Sequence, residues 1–129
     1  MKGFEGLIIR KLNQIDPYDS RGPTYEWSKN IPGLQITLYK RKKGSTCGNH
    51  YHKGEDKSKN PERFLLINGL LQIEAKNAIK QTMKKKIEAV SEILIYPNVL
   101  HSFYPLTDII YIEYRSTVFD PNNKDVYNK

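Results

Sequence analysis

Cysteine is nearly absent from this sequence: Cys47 is the only one among 129 residues. No internal disulfide can form, so a reducing compartment is expected, the cytosol by default. No apolar run approaches the ~20 residues that cross a bilayer, which argues against a membrane-spanning helix. The opening Met1-Lys2-Gly3-Phe4-Glu5-Gly6 lacks the apolar stretch of a secretory leader. Acidic residues are also scarce, 14 against 21 lysines and arginines, which leaves a net charge of +7. The surplus gathers in Lys40-Arg41-Lys42-Lys43 and Lys84-Lys85-Lys86. Such runs read first as solvated faces, and more sharply as a means of attracting an anionic small molecule such as a nucleotide diphosphate. They are short and unaccompanied by a recognised motif, so no nucleic-acid partner is expected.

What is present is ordered and alternating. Hydrophobic residues make up 38% of the chain and there are nine tyrosines, a composition that disordered chains lack. No repeat, low-complexity segment or linker divides the sequence, so residues 1–129 are expected to form one domain. Leu7 to Leu12 alternates weakly and reads as an opening strand. The stretch from Asp16 to Pro23 is dense in turn residues. Leu34, Ile36 and Leu38 alternate between Gly33 and Arg41, as in a half-buried strand. Phe64-Leu65-Leu66-Ile67, then Asn68-Gly69, then Leu71 and Ile73 read as a hairpin about a tight turn. Ile93-Leu94-Ile95 and Ile109-Ile110-Tyr111-Ile112 add two strands, and Phe119-Asp120-Pro121-Asn122-Asn123 is expected to end the regular structure.

One stretch is ambiguous. From Leu71 through Ala75, Ile79, Met83, Ile87 and Val90 the apolar residues recur at helical spacing, which alone predicts a helix over 75–90. The flanking strands favour a hairpin with a lysine-rich loop instead. Many short strands with turns between them indicate an all-β sandwich or barrel.

The chain has three histidines, His50, His52 and His101. His50 and His52 stand one residue apart, so on a strand their imidazoles share a face. A carboxylate and a third imidazole from other strands could then close a site. Such a set makes either a metal centre or a group of acid–base catalysts. Tyr111, Glu113 and Arg115 also share a parity; they could line the barrel mouth, but an exposed strand face is the expected place. Tyr25 and Trp27 are expected to be core or interface aromatics, and Cys47 a small buried residue.

These residues resemble the cupin superfamily. Its first motif, Gly, five residues, His-x-His, a gap, Glu, six residues and Gly, is met by Gly44, His50, His52, Glu62 and Gly69. The gap is lengthened by Gly54-Glu55-Asp56-Lys57-Ser58, which leaves Glu55 as a rival to Glu62. In the second motif Pro97 and His101 match. Asn98 replaces a glycine there, a mild change because Asn tolerates positive φ, and Pro105 replaces the final Asn. Three stretches resemble a narrower branch, the nucleotide-sugar epimerases and 3,4-ketoisomerases and the cupin domain of capsular-polysaccharide sugar enzymes. They are Asp19-Ser20-Arg21-Gly22 with Glu26, Gly48-Asn49-His50-Tyr51-His52-Lys53 with Glu62-Arg63-Phe64-Leu65, and Phe119-Asp120-Pro121-Asn122-Asn123. Cys47 departs from that branch, which often carries an arginine before Gly48.

The resemblance implies a single jelly-roll barrel of the cupin kind, usually a homodimer. It implies a divalent metal, zinc, iron, manganese or nickel, on His50, His52, Glu62 and His101. Otherwise the site is metal-free, with His50 or His52 as the catalytic base. It also implies that Arg21 and Glu26 contact the nucleotide of a nucleotide-linked sugar. The expected activity is isomerisation or epimerisation of a nucleotide-linked 4-keto-hexose. A metal-dependent dioxygenase and a non-catalytic sugar-binding cupin are the alternatives.

Overall fold

The computed structural model describes residues 3–19, 22–27 and 33–128. Within them run β1 (Leu7–Lys11), β2 (Gln14–Asp19), β3 (Gly22–Tyr25), β4 (Gln35–Arg41), β5 (Cys47–Tyr51) and β6 (Glu62–Asn68). There follow β7 (Leu70–Lys76), β8 (Thr82–Glu88), β9 (Ser91–Ile95), β10 (Leu100–Pro105), β11 (Ile109–Arg115) and β12 (Tyr127–Asn128). The only helical element among the described residues is a 3-10 turn at Lys57–Lys59, and no helix is long and apolar enough to cross a membrane.

The strands form two five-stranded antiparallel sheets, ordered β1-β9-β6-β11-β4 and β12-β5-β10-β7-β8, plus the β2-β3 ribbon. Alternation builds the core between the sheets. Phe64 and Leu66 on β6, with Ile93 and Ile95 on β9, meet Leu71, Ile73 and Ala75 on β7 and Phe103 on β10. Leu66, Ile73 and Ile95 are fully buried, and truncating such a residue to alanine costs about 2–5 kcal/mol. The architecture is the all-β one expected.

Three local expectations change, and the ambiguity over 75–90 resolves in favour of the hairpin. Asn68-Gly69 is not a hairpin turn. β6 pairs with β9 and β11 while β7 pairs with β8 and β10, so the chain passes here from one sheet to the other. Gly69, at φ 99°, makes the crossing; a Cβ there would lie 2.5 Å from the Asp108 carbonyl oxygen, so a side chain has no room.

The helical spacing over 75–90 belongs to the β7–β8 hairpin, paired from Leu70↔Glu88 to Lys76↔Thr82. Ala75, Met83 and Ile87 are separated by even numbers of residues, so spacing of four suits a strand face as well as a helix face. The loop closes through Gln81 N–H donating to Asn77 Oδ1 at 2.9 Å.

The tail does not end at Asn123. It returns as β12, pairing Tyr127 with Tyr51 and Asn128 with His50.

Tyr111, Glu113 and Arg115 face inward rather than outward, at 5%, 4% and 2% exposure. Strand β11 lies between β4 and β6, so its inward row must be lined on both sides, and the charges there are paired within the site. Tyr25 is exposed. Trp27 packs edge-on against Tyr114, centroids 5.7 Å apart, and its Nε1–H donates to Glu92.

Candidate functional site

Strand β5 and the residue after it carry His50 and His52, β10 carries His101, and β6 begins at Glu62. Gly48 and Asn49 both take positive φ, 94° and 62°. The β5–β10 register shifts here, setting His50 opposite His101 and Gly48 opposite Ser102. This bulge lets β5 approach β10 closely: a Cβ on Gly48 would stand 2.8 Å from the His101 carbonyl oxygen. Asn98, at φ 65°, occupies the turn before His101 as the sequence suggests, and its N–H donates to the His52 carbonyl at 2.7 Å.

One nitrogen from each imidazole lies within 4.8 Å of the others. His52 and His101 are buried and His50 half-buried. The carboxylate that joins them is Glu62, with Oε1 2.8 Å from His52 Nε2 and 3.4 Å from His101 Nε2. Glu55 is not brought there. It is exposed and accepts a hydrogen bond from Tyr127.

Two backbone carbonyls fix the imidazole tautomers. His52 Nδ1 lies 2.7 Å from the Asp125 carbonyl oxygen and His101 Nδ1 2.9 Å from that of Val99. A carbonyl only accepts, so each Nδ1 carries the proton, and each neutral Nε2 presents a lone pair. Those lone pairs point toward a carboxylate oxygen. Despite their short separation, His52 Nε2 and Glu62 Oε1 are both buried without a hydrogen-bond partner. Two buried acceptors at this distance call for a cation or a proton between them.

The electrostatics agree. Burial disfavours charge on Glu62, yet His52, Lys59 and His101 hold its carboxyl far below the usual carboxylate range. Burial likewise opposes charge on His52, but the adjoining Glu62 carboxylate raises its pKa. Burial, then its two imidazole neighbours, push His50 down to about 4. Burial lowers His101.

A second polar set faces these residues. Lys59 Nζ, on the 3-10 turn, bridges Glu62 Oε2 at 3.0 Å and Glu113 Oε2 at 3.3 Å. Tyr39 OH donates to Glu113 Oε1 at 3.0 Å. Behind them Arg115 pairs with Asp56 at 2.7 Å. Burial first, and the Glu113 carboxylate second, raise the Tyr39 pKa, so this phenol keeps its proton at neutral pH.

The two sets line a pocket of about 200 Å³, whose walls also include Arg41, Cys47, Phe64 and Tyr111. Cys47 is half-buried on this wall. Of the two expected nucleotide contacts, Glu26 is exposed and does not line the pocket, and Arg21 lies outside the described residues. Sequence reasoning missed Tyr39, Lys59 and Asp125, and gave Glu113 an exposed face. A signal existed for Glu113: it shares the parity of Ile109 and Tyr111 on an isoleucine-rich strand, which suits an inward row.

The donor set fits a divalent metal. Three imidazoles and a carboxylate oxygen are ligands of the right kind, two of the imidazoles have Nδ1 held by backbone carbonyls as metal-bound histidines usually do, and the orphaned pair leaves lone pairs converging. Lys59 occupies only Oε2 of Glu62, leaving Oε1 to the histidines.

The fold recurs among solved structures. QdtA, a sugar 3,4-ketoisomerase from Thermoanaerobacterium thermosaccharolyticum in complex with TDP, superposes with TM-score 0.75 at 16% identity, covering 98% of this chain and 90% of that one. ChmJ, a 3'-monoepimerase from Streptomyces bikiniensis in complex with dTDP, gives 0.76 at 14% identity, covering 99% and 71%. The capsular polysaccharide assembling protein CapF from Staphylococcus aureus gives 0.63 at 24% identity over 90% of this chain. This chain spans only 32% of CapF. No curated protein matches it in sequence. The cupin jelly roll is therefore the fold, shared with a sugar 3,4-ketoisomerase and a 3'-monoepimerase. Residues 17–127 match the family described as the polysaccharide biosynthesis C-terminal domain, and the chain belongs to that family.

Proposed function

We propose that this protein is an isomerase or epimerase of a nucleotide-linked 4-keto-hexose used in surface-polysaccharide biosynthesis, and that it holds a divalent metal. The observation that carries the reading is the meeting in one pocket of His50, His52, His101 and Glu62 with Tyr39 and Glu113 on the facing wall. The TDP and dTDP held by QdtA and ChmJ support a nucleotide-linked ligand.

The reaction removes the proton on the carbon beside a ketone, and the enediolate charge must be stabilised as it develops. A metal, held by His50, His52, His101 and Glu62, would supply Lewis-acid polarisation of the keto oxygen. Tyr39, whose hydroxyl donates to Glu113, faces the histidines across the pocket and would orient the substrate there. The base is then a group outside the four ligands. In a metal-free site it is His50, the histidine most open to the pocket, because a neutral imidazole offers a lone pair. His52 is too enclosed between Asp125 and Glu62 for that task. Return of the proton to the opposite face gives an epimer, and to the neighbouring carbon an isomer.

The homodimer belongs to the same reading. What supports it is the apolar row Leu34, Ile36 and Leu38, exposed beside and along β4, an edge strand. Sedimentation velocity checks it.

The decisive assay is incubation with the TDP- and UDP-linked 4-keto-6-deoxyglucoses in deuterium oxide, followed by NMR. Deuterium entering the carbon next to the ketone is expected. No exchange with either sugar overturns the proposal.

A further inference from the structure

Cys47 leaves the start of β5 without the arginine that resembling sugar enzymes often carry there, yet the pocket is not without a free cation. Arg41 has the parity of Tyr39 along β4, so both side chains turn to the same side, and both line the pocket with Cys47 and His50. The Arg41 guanidinium carbon stands 5.0 Å from the centroid of the Tyr39 ring. Tyr39 in turn stacks on Tyr111, centroids 4.8 Å apart. Tyr111 lines the same pocket wall as Cys47 and Arg41.

Two cations of the pocket wall, Lys59 and Arg41, differ in what they face. Lys59 is shared between Glu62 and Glu113. Among the described residues the Arg41 guanidinium makes one hydrogen bond, from NH1 to the Lys40 carbonyl at 3.1 Å. Among the described residues it makes no ion pair with a carboxylate. Its guanidinium carbon lies over the Tyr39 ring, and among the described residues most of its donors are unspent. Lys40, Lys42 and Lys43 beside it are exposed and raise the local potential for an arriving anion.

We infer that Arg41 binds the diphosphate of the nucleotide-linked substrate, supplying from β4 the cation that Cys47 withholds from β5. The inference rests on the nucleotide-sugar reading above and adds to it the residue that selects the anionic part. A guanidinium suits that part because its planar fork meets two phosphate oxygens at once. Stacking on an aromatic ring limits the freedom the side chain must surrender on binding. The diphosphate then sits at the pocket mouth, with the hexose directed toward the histidines.

The test is calorimetric titration of thymidine and uridine diphosphates into the wild-type chain, Arg41→Ala and Arg41→Lys, each at low and high salt. One charge-assisted contact corresponds to roughly a tenfold to hundredfold loss of affinity. Arg41→Ala is expected to lose that much, Arg41→Lys to recover part of it, and the salt dependence to be shallower in Arg41→Ala. Arg41→Ala binding as tightly as wild type overturns the assignment while leaving the nucleotide-sugar reading intact. A wild-type chain that takes neither diphosphate overturns the reading and the assignment together. Arg41 is half-exposed at the end of its strand, and an unchanged melting temperature in both variants separates lost binding from lost structure.

Discussion

His52 Nε2 stands 2.8 Å from Glu62 Oε1, and neither atom has a hydrogen bond. With the His52 Nδ1 proton directed at Asp125, no proton remains on the neutral ring to join the pair. This arrangement is stable if a metal ion or an extra proton lies between them. The first prediction follows directly. Protein purified without chelator or nickel resin should carry about one divalent metal per chain by elemental mass spectrometry. The variant His50→Ala with His101→Ala should carry none. Unchanged metal content in that variant removes the four-residue site.

Asp125 acts on the site from the end of the chain. Its carboxylate accepts from the backbone N–H groups of Lys53 at 2.9 Å and of Gly54 and Asp56 at 3.0 Å, while its carbonyl holds His52. Asp125→Ala leaves three donors without an acceptor. At about 1–3 kcal/mol for an unsatisfied buried group, the melting temperature should drop by several degrees. Hydrogen exchange over residues 53–56 should quicken; unaltered exchange there would refute the anchoring role.

Asp56 governs an acid-dependent share of stability. Burial opposes its charge, but Arg115 and the Ser58 N–H outweigh that and hold its carboxyl below the ordinary value. A group whose folded pKa is depressed stabilises fully above its unfolded pKa, about 3.9. That contribution is lost as pH falls from there through the folded value. Urea denaturation should therefore show the gap between wild type and Asp56→Asn constant from neutral pH down to about 5. The gap should narrow below about 4. A gap that widens on acidification contradicts this assignment.

Lys59 neutralises two buried carboxylates at once. Lys59→Met leaves Glu62 and Glu113 facing each other without their shared cation, a change that costs about 3–5 kcal/mol in buried pairs. Adding Glu113→Gln should restore part of the loss, because one of the two charges is gone. A double-mutant cycle read by denaturant melts measures that coupling; strict additivity would show that Lys59 and Glu113 act independently.

The sequence by itself determined what is local. Alternation is fixed by the backbone of an extended chain, so His50 and His52 had to share a face wherever that strand lay. The strands β1, β4, β9 and β11 could be read from their apolar rhythm, and the two histidine blocks, with Pro97, resembled those of the cupin barrel. Only the tertiary structure decided which strands became neighbours, since that depends on closing long loops and filling one core. It placed β6 and β7 in opposite sheets, against the hairpin that Asn68-Gly69 suggests. It chose Glu62 over Glu55, because β6 begins beside the histidines while Glu55 is left on the surface with Tyr127. It turned Glu113 and Arg115 inward, where Lys59 and Asp56 compensate their charge, and it returned the tail so that Asp125 meets His52 from 73 residues away. No short window of sequence contains both ends of such a contact, and that separation is the physical reason it could not be read beforehand.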